Sequence, residues 1–210
     1  MVIVGLTGSI GMGKTVAANH LRGLGLPVHD ADAAVHDMMA AGGEAVAAVT
    51  AAFPGVVRDG GVDRAALGAI VYGDPAALAR LEAILHPMVR CRSDDFLRHN
   101  AQRGAALVVL DIPLLFETGG DRRVDATIVV SAPAFLQEQR VLRRPGMTAE
   151  RLARIRAQQM PDAEKRRRAD FVVQTGLGKD HSLCELIAIV KVLTTRESRH
   201  WPPPGDRRHA

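Results

Sequence analysis

Aromatic residues are scarce in this chain. Five Phe, one Tyr and one Trp make up 3% of its 210 residues, which leaves little flat surface for stacking single-stranded bases. Cysteine is scarcer still. Cys91 and Cys184 stand far apart and in no metal-ligand spacing, so two inert thiols in a reducing compartment are expected rather than a zinc site or a disulfide framework. No apolar run approaches the roughly 18 residues of a membrane span. No basic leader precedes the opening MVIVGLTGSIGMGKT, which passes directly into a glycine-rich motif. Chemistry placed so early argues against a cleaved export signal; a cytoplasmic protein with no membrane partner is expected. The sequence also lacks the Asn-Lys-x-Asp signature of guanine-reading switches, and it shows no internal repeat.

What is present is the balance of a globular protein, with 47% hydrophobic and 24% charged residues. The net charge of +4 is unevenly spread. Between Glu138 and Arg168 lie ten Arg or Lys against four acids, so this segment carries +6 and the remainder is slightly acidic. A local basic excess implies a local anionic partner. With so few aromatics, a polyphosphate ligand accounts for it better than nucleic acid does.

Short β-branched runs alternate with longer helix-period segments, the pattern of an α/β protein with a parallel sheet. Strands are expected at Val2–Leu6, Pro27–His29, Ala106–Leu110, Ala126–Val130 and Phe171–Val173. Helices are expected over Lys14–Leu24, Ala31–Met39, Gly43–Ala52, Arg64–Ile70, Pro75–His99, Pro133–Arg143, Ala149–Gln158 (capped by Thr148) and Ser182–Leu193. One domain covering residues 1–195 is expected. The mostly helical stretch 31–103 reads as a substrate-side insertion, because long insertions after strands of a parallel sheet build substrate walls. The stretch 138–168 reads as an Arg-rich lid region. The Pro-rich end, 196–210, reads as a frayed tail.

Gly8-Ser9-Ile10-Gly11-Met12-Gly13-Lys14-Thr15 matches G-x-x-x-x-G-K-[ST] in full, between a strand and a helix. Glycines let consecutive N–H groups turn inward toward phosphate oxygens, and the following helix adds its positive end. Gly8, Gly11, Met12, Gly13, Lys14, Thr15 and Val16 are therefore expected to hold the phosphates of ATP. Lys14 supplies a mobile charge at the β- and γ-phosphates, and the Thr15 hydroxyl suits Mg²⁺. Asp111, ending Leu107-Val108-Val109-Leu110, reads either as a second Mg²⁺-side carboxylate or as a strand-end cap. Asp30 and Asp32 bracket the start of a helix, where acids cap and favour the dipole. Alternatively, a carboxylate beyond the second strand takes the proton of an attacking hydroxyl. Pro87 is expected to kink its helix and turn His86 toward the site; structural histidines are the commoner case. Arg140, Arg143 and Arg144 precede Pro145-Gly146, a hinge that could carry guanidiniums over the γ-phosphate and expel water. Arg151, Arg154, Arg156 and Arg166–Arg168 read as a solvated basic face.

In chain order, GLTGSIGMGKT, DAD (Asp30–Asp32), LHP (Leu85–Pro87), LDIPLLFE (Leu110–Glu117), AQQM (Ala157–Met160) and RAD (Arg168–Asp170) resemble the dephospho-CoA kinases over about Val2 to Gly176. The P-loop alone is generic; DAD, HP and PLLFE together are specific. The resemblance implies a P-loop NTPase-type three-layer fold with a central five-stranded parallel sheet and helical CoA-binding and lid regions. It implies ATP-dependent phosphorylation of the ribose 3′-hydroxyl of dephospho-CoA, with Mg²⁺, no nucleic acid and no membrane. By position it implies Asp32 as the acceptor-activating carboxylate. His86, Pro113, Leu114, Leu115, Phe116 and Glu117 become acceptor-side wall, and Arg140 and Arg144 nucleotide- and lid-side arginines. Ser9 and Thr15 stand where the family commonly has Gly and Ser, and neither change removes a needed group. The competing expectations are a P-loop kinase for a nucleoside or nucleoside monophosphate, and a P-loop switch or nucleic-acid-binding NTPase.

Overall fold

The computed structural model describes residues 1–202 of the chain. The opening apolar run is strand β1 (Val2–Thr7), buried along its whole length, as a strand covered on both faces must be. Residues 8–13 turn the chain into helix α1 (Lys14–Gly23), which leads to the short strand β2 (Val28–Asp30). Two compact units follow from the contacts: residues 30–98 form one, and residues 1–29 with those from His99 onward form the other. The stretch read as an insertion in a single domain is thus a unit in its own right.

That unit holds α2 (Ala31–Met39), α3 (Val46–Ala52), a hairpin of β3 (Val57–Arg58) and β4 (Gly61–Val62), α4 (Arg64–Val71) and most of α5 (Pro75–Gln102). Its core gathers Met38, Val49, Phe53, Leu67, Leu81 and Leu85, and the Arg80 guanidinium sits 4.9 Å from the centre of the Phe53 ring. Asp30, Asp63 and Asp74 accept from first-turn amides and fix where α2, α4 and α5 begin. The hairpin was not expected from the sequence. Its Asp59-Gly60 turn has positive φ at both residues, 50° and 78°, so the Asp-Gly pair was the available signal. Helix α5 runs on through Pro87, within the expected span Pro75–His99. Pro87 costs the bond to the carbonyl of Ala83, and both residues are exposed, so water can satisfy that carbonyl.

The other unit contains β5 (Leu107–Asp111), β6 (Ala126–Ser131), α6 (Ala134–Leu142), α7 (Ala149–Gln158), α8 (Asp162–Arg168), β7 (Phe171–Gln174) and α9 (Lys179–Leu193). The five-stranded parallel sheet has the order β2-β5-β1-β6-β7. Its register sets Leu6 beside Asp111 and Ile128, and Ser131 beside Gln174. Leu21 of α1 and Leu186, Ile189 and Leu193 of α9 pack with Val4, Leu6, Val109 and Ile128 of the sheet. Adjacent strands β1 and β6 send their connections to opposite edges, which opens a crevice at their carboxyl ends.

Helix α8 was not expected, and α9 starts three residues earlier than its apolar period indicated. The chain beyond Arg196, expected to fray, is instead anchored through residue 200. Buried Asp125 accepts from the Ile3 amide at 2.7 Å, the Ser198 hydroxyl at 3.3 Å and the amides of Arg199 and His200. The rest of that expected tail, residues 203–210, lies outside the described residues.

Candidate active site

Gly8–Gly13 connect β1 to α1 in a turn so closely packed that a side chain at its glycines would collide. A Cβ at Gly8 would lie 2.9 Å from the Val130 carbonyl oxygen. Gly13 caps α1 in the left-handed region, with φ of 89°, a conformation natural to glycine. In this loop the amides of Gly11, Gly13, Lys14 and Thr15 have no hydrogen-bond partner among the described residues, the condition for a phosphate nest at a helix start. Two expected members are turned elsewhere. The Met12 amide donates to the Ser9 carbonyl at 3.1 Å and the Val16 amide to the Gly13 carbonyl at 3.0 Å. Met12 instead contributes a buried side chain, whose Sδ accepts from the Ala132 amide at 3.2 Å.

The Lys14 ammonium lies 2.6 Å from Asp111 Oδ1, and the Asp111 side chain is only 2% exposed. In this contact the Asp111 carboxylate faces the P-loop lysine from the neighbouring strand. Thr15 is exposed, with no partner to its hydroxyl among the described residues.

Arg140, on α6, spans two segments of the site. It donates to the Gly11 carbonyl at 3.5 Å, to Thr175 Oγ1 at 3.2 Å and to the Thr175 carbonyl at 2.8 Å. Thr175 Oγ1 in turn donates to the Met12 carbonyl at 2.7 Å. Arg144 lies in the turn after α6, exposed, with no partner to its guanidinium among the described residues.

Of the expected acceptor wall, Leu115 and Phe116 are core residues, 0% and 6% exposed. Leu115 fills the space beside Gly5 and Gly120, so its side chain is unavailable to a ligand. Leu114 is exposed and Pro113 half-buried. The Pro113 carbonyl accepts from Thr7 Oγ1 at 2.9 Å and from Lys165 Nζ at 3.3 Å. Glu117 pairs with Lys165 at 2.9 Å and accepts from the Met160 amide at 2.8 Å. Burial acts to raise the Glu117 pKa. The hydrogen bonds from Lys165 and Met160 outweigh it and hold the carboxyl below the ordinary glutamate range. Lys165 is completely buried, so one charge counted in the basic segment is neutralised inside the protein and does not contribute to its outer field.

Four residues that the sequence reading gave no site role shape the loop: Gln137, Arg156, Gln159 and Thr175. Arg156 was expected on a solvated face, yet its Nε and Nη2 donate to Gln137 Oε1 at 3.0 and 2.7 Å. The sequence signals were the AQQM run, which contains Gln159, and the polar Gln137 on an otherwise inward-facing position of α6, four residues before Val141.

In the other unit, Asp30 is the N-cap of α2, its Oδ1 accepting from the Ala33 amide at 3.0 Å. Asp32 is exposed in the first turn, and its carboxylate has no partner among the described residues. His86 is exposed on α5.

Parallel sheet, phosphate nest and a lysine set against a strand-end carboxylate define a P-loop phosphotransferase. The family model for dephospho-CoA kinases matches residues 2–179. A curated dephospho-CoA kinase of Paramagnetospirillum magneticum is 63% identical over 205 residues, covering 98% of this chain and 96% of that one. The chain belongs to the dephospho-CoA kinase family. A crystal structure from Thermus thermophilus superposes with a TM-score of 0.79 at 37% identity, over 91% of this chain and 96% of that one. The dephospho-CoA kinase of Campylobacter jejuni shares the fold, with a TM-score of 0.63 at 21% identity, over 91% and 96% of the two chains. No helix among the described residues is long and apolar enough to cross a membrane.

Proposed function

We propose that this chain transfers the γ-phosphate of ATP to the ribose 3′-hydroxyl of dephospho-CoA, giving CoA and ADP, and that it works in the cytoplasm. The observation that carries the reading is the Lys14–Asp111 contact of 2.6 Å beside four open loop amides. Phosphoryl transfer asks for positioning and charge neutralisation more than for covalent chemistry. The amides of Gly11, Gly13, Lys14 and Thr15 grip the phosphate oxygens, and the Lys14 ammonium follows the charge as it moves to the leaving oxygen.

An open Thr15 hydroxyl and the Asp111 carboxylate fit Mg²⁺, a hard cation that takes few protein oxygens and fills its shell with phosphate and water. Bound there, it would supply charge neutralisation at the β- and γ-phosphates. Arg140 holds the loop in register through Gly11 and Thr175, and Arg144 reaches the nucleotide from the turn after α6. Asp32 accepts the proton of the attacking 3′-hydroxyl. Its lack of a partner and its position in the first turn of α2 support that role, and the matching DAD of the family points the same way. His86, Pro113 and Leu114 contact the acceptor.

A coupled assay following ADP release with dephospho-CoA, ATP and Mg²⁺ tests the reading. The expected result is turnover requiring all three. A folded sample that forms no CoA, or whose kcat/KM is higher for a nucleoside monophosphate, sinks it.

A further inference from the structure

We propose that Gln137 and Gln159 are positioning residues for the phosphate cradle, gripping both polar groups of Ile10, with Arg156 fixing Gln137. The inference rests on the reading of residues 8–16 as that cradle. Gln137 Nε2 donates to the Ile10 carbonyl at 2.8 Å, and the Ile10 amide donates to Gln159 Oε1 at 3.1 Å. Ile10 lies at the crown of the loop, just before the open amide at Gly11, so its orientation sets the direction of the amides that follow. A loop that keeps several of its N–H groups open has few backbone bonds of its own to hold it. Support has to come from outside.

The orientation of Gln137 is fixed by chemistry. A carbonyl only accepts and a guanidinium only donates, so Nε2 must face Ile10 and Oε1 must face Arg156. Flipping the amide would break both contacts. Gln137 is only 5% exposed, which makes a lost partner costly. The backbone of α6 presses on the same place: a Cβ at Gly11 would come within 3.1 Å of the Gln137 carbonyl oxygen. Gln159 is held by its neighbour, because the Met160 amide donates to Glu117 at 2.8 Å. Arg156 and Gln159 lie at the C-terminal end of α7, so the Arg-rich helix and the nest are joined through two glutamines. Arg156 acts through Gln137, not on the phosphate.

The test measures ATP affinity by calorimetry on the full chain, with melting temperature recorded for each variant. Gln137→Glu keeps, and electrostatically strengthens, the Arg156 contact while aiming an acceptor at the Ile10 carbonyl. It is expected to weaken ATP binding about tenfold at temperatures where its melting curve shows the chain fully folded. Gln137→Met should lose about as much, and adding Arg156→Met to it should lose nothing more, because the two act as one unit. Wild-type affinity in Gln137→Glu, or additive losses in the double variant, overturns the inference. A wild-type chain that binds no ATP would sink the proposed function and this inference with it.

Discussion

The two units solve different problems with different chemistry. Among the described residues, every buried polar or charged side chain except Ser93 lies outside residues 30–98. The P-loop unit therefore carries a polar interior: Asp111 with Lys14, Lys165 with Glu117, Gln137 with Arg156, and Thr175 with Arg140. The helical unit packs an apolar core of Met, Val, Leu and Phe and leaves its candidate groups, Asp32 and His86, on the surface. A phosphate nest needs amides locked in place before the ligand arrives, and directional bonds do that better than apolar packing. A carboxylate that must take up a proton works best with its lone pairs uncommitted. The contrast teaches that residues of the first unit should couple activity to stability, and those of the second should separate them.

The sharpest break of that contrast is Lys14→Ala. It removes the ammonium from the phosphates and leaves the buried Asp111 without that partner, so kcat should fall about 10³-fold or more. The melting temperature should fall with it, unlike the outcome for a lysine that serves phosphate alone. Turnover assays and thermal melts read the two effects together. Asp32→Asn is the counterpart. It should lower kcat about 10²-fold or more while ATP affinity and melting temperature stay at their wild-type values; unchanged turnover would reduce Asp32 to a first-turn acid.

Glu117→Gln tests the buried pair. Leaving Lys165 uncompensated should cost about 3–5 kcal/mol in denaturant unfolding. Because the folded-state pKa of Glu117 lies below its unfolded value, the carboxylate contributes stability that is fully present above the ordinary glutamate range. That contribution is lost as pH falls through the depressed folded value. The acid-side slope of wild-type stability should flatten in the variant. Asp30→Ala gives the smallest effect: loss of the cap on α2 should cost about 1 kcal/mol with little change in kcat, setting Asp30 apart from its neighbour two residues on.

The strands and most helices could be read because their signals are local. β1, β5 and β6 are apolar runs, and Thr148 caps α7 as expected, accepting from the Arg151 amide at 3.2 Å. The phosphate loop was equally legible, since spacing alone brings Gly8, Gly13, Lys14 and Thr15 together. Illegible were contacts between residues distant in sequence. Nothing near Arg156 announces Gln137, and nothing near Lys165 announces Glu117, 48 positions earlier. Arg156 was read on a solvated face and Lys165 only counted in the basic segment, whereas the bonds to Gln137 and the burial against Glu117 govern them. PLLFE showed the complementary error. A motif marks a segment, while side-chain direction settles which members face a ligand, and Leu115 and Phe116 point into the core.

By itself, then, the sequence determined the elements, the glycine turn and the types of group available to hold a triphosphate, because backbone conformation and hydrophobic period depend on neighbouring residues. Only the tertiary structure decided which amides stay open, which carboxylate meets Lys14 and which arginine is committed to Gln137. Those outcomes depend on strand order and on side chains meeting across more than a hundred residues of chain, as Ile10 meets Gln137.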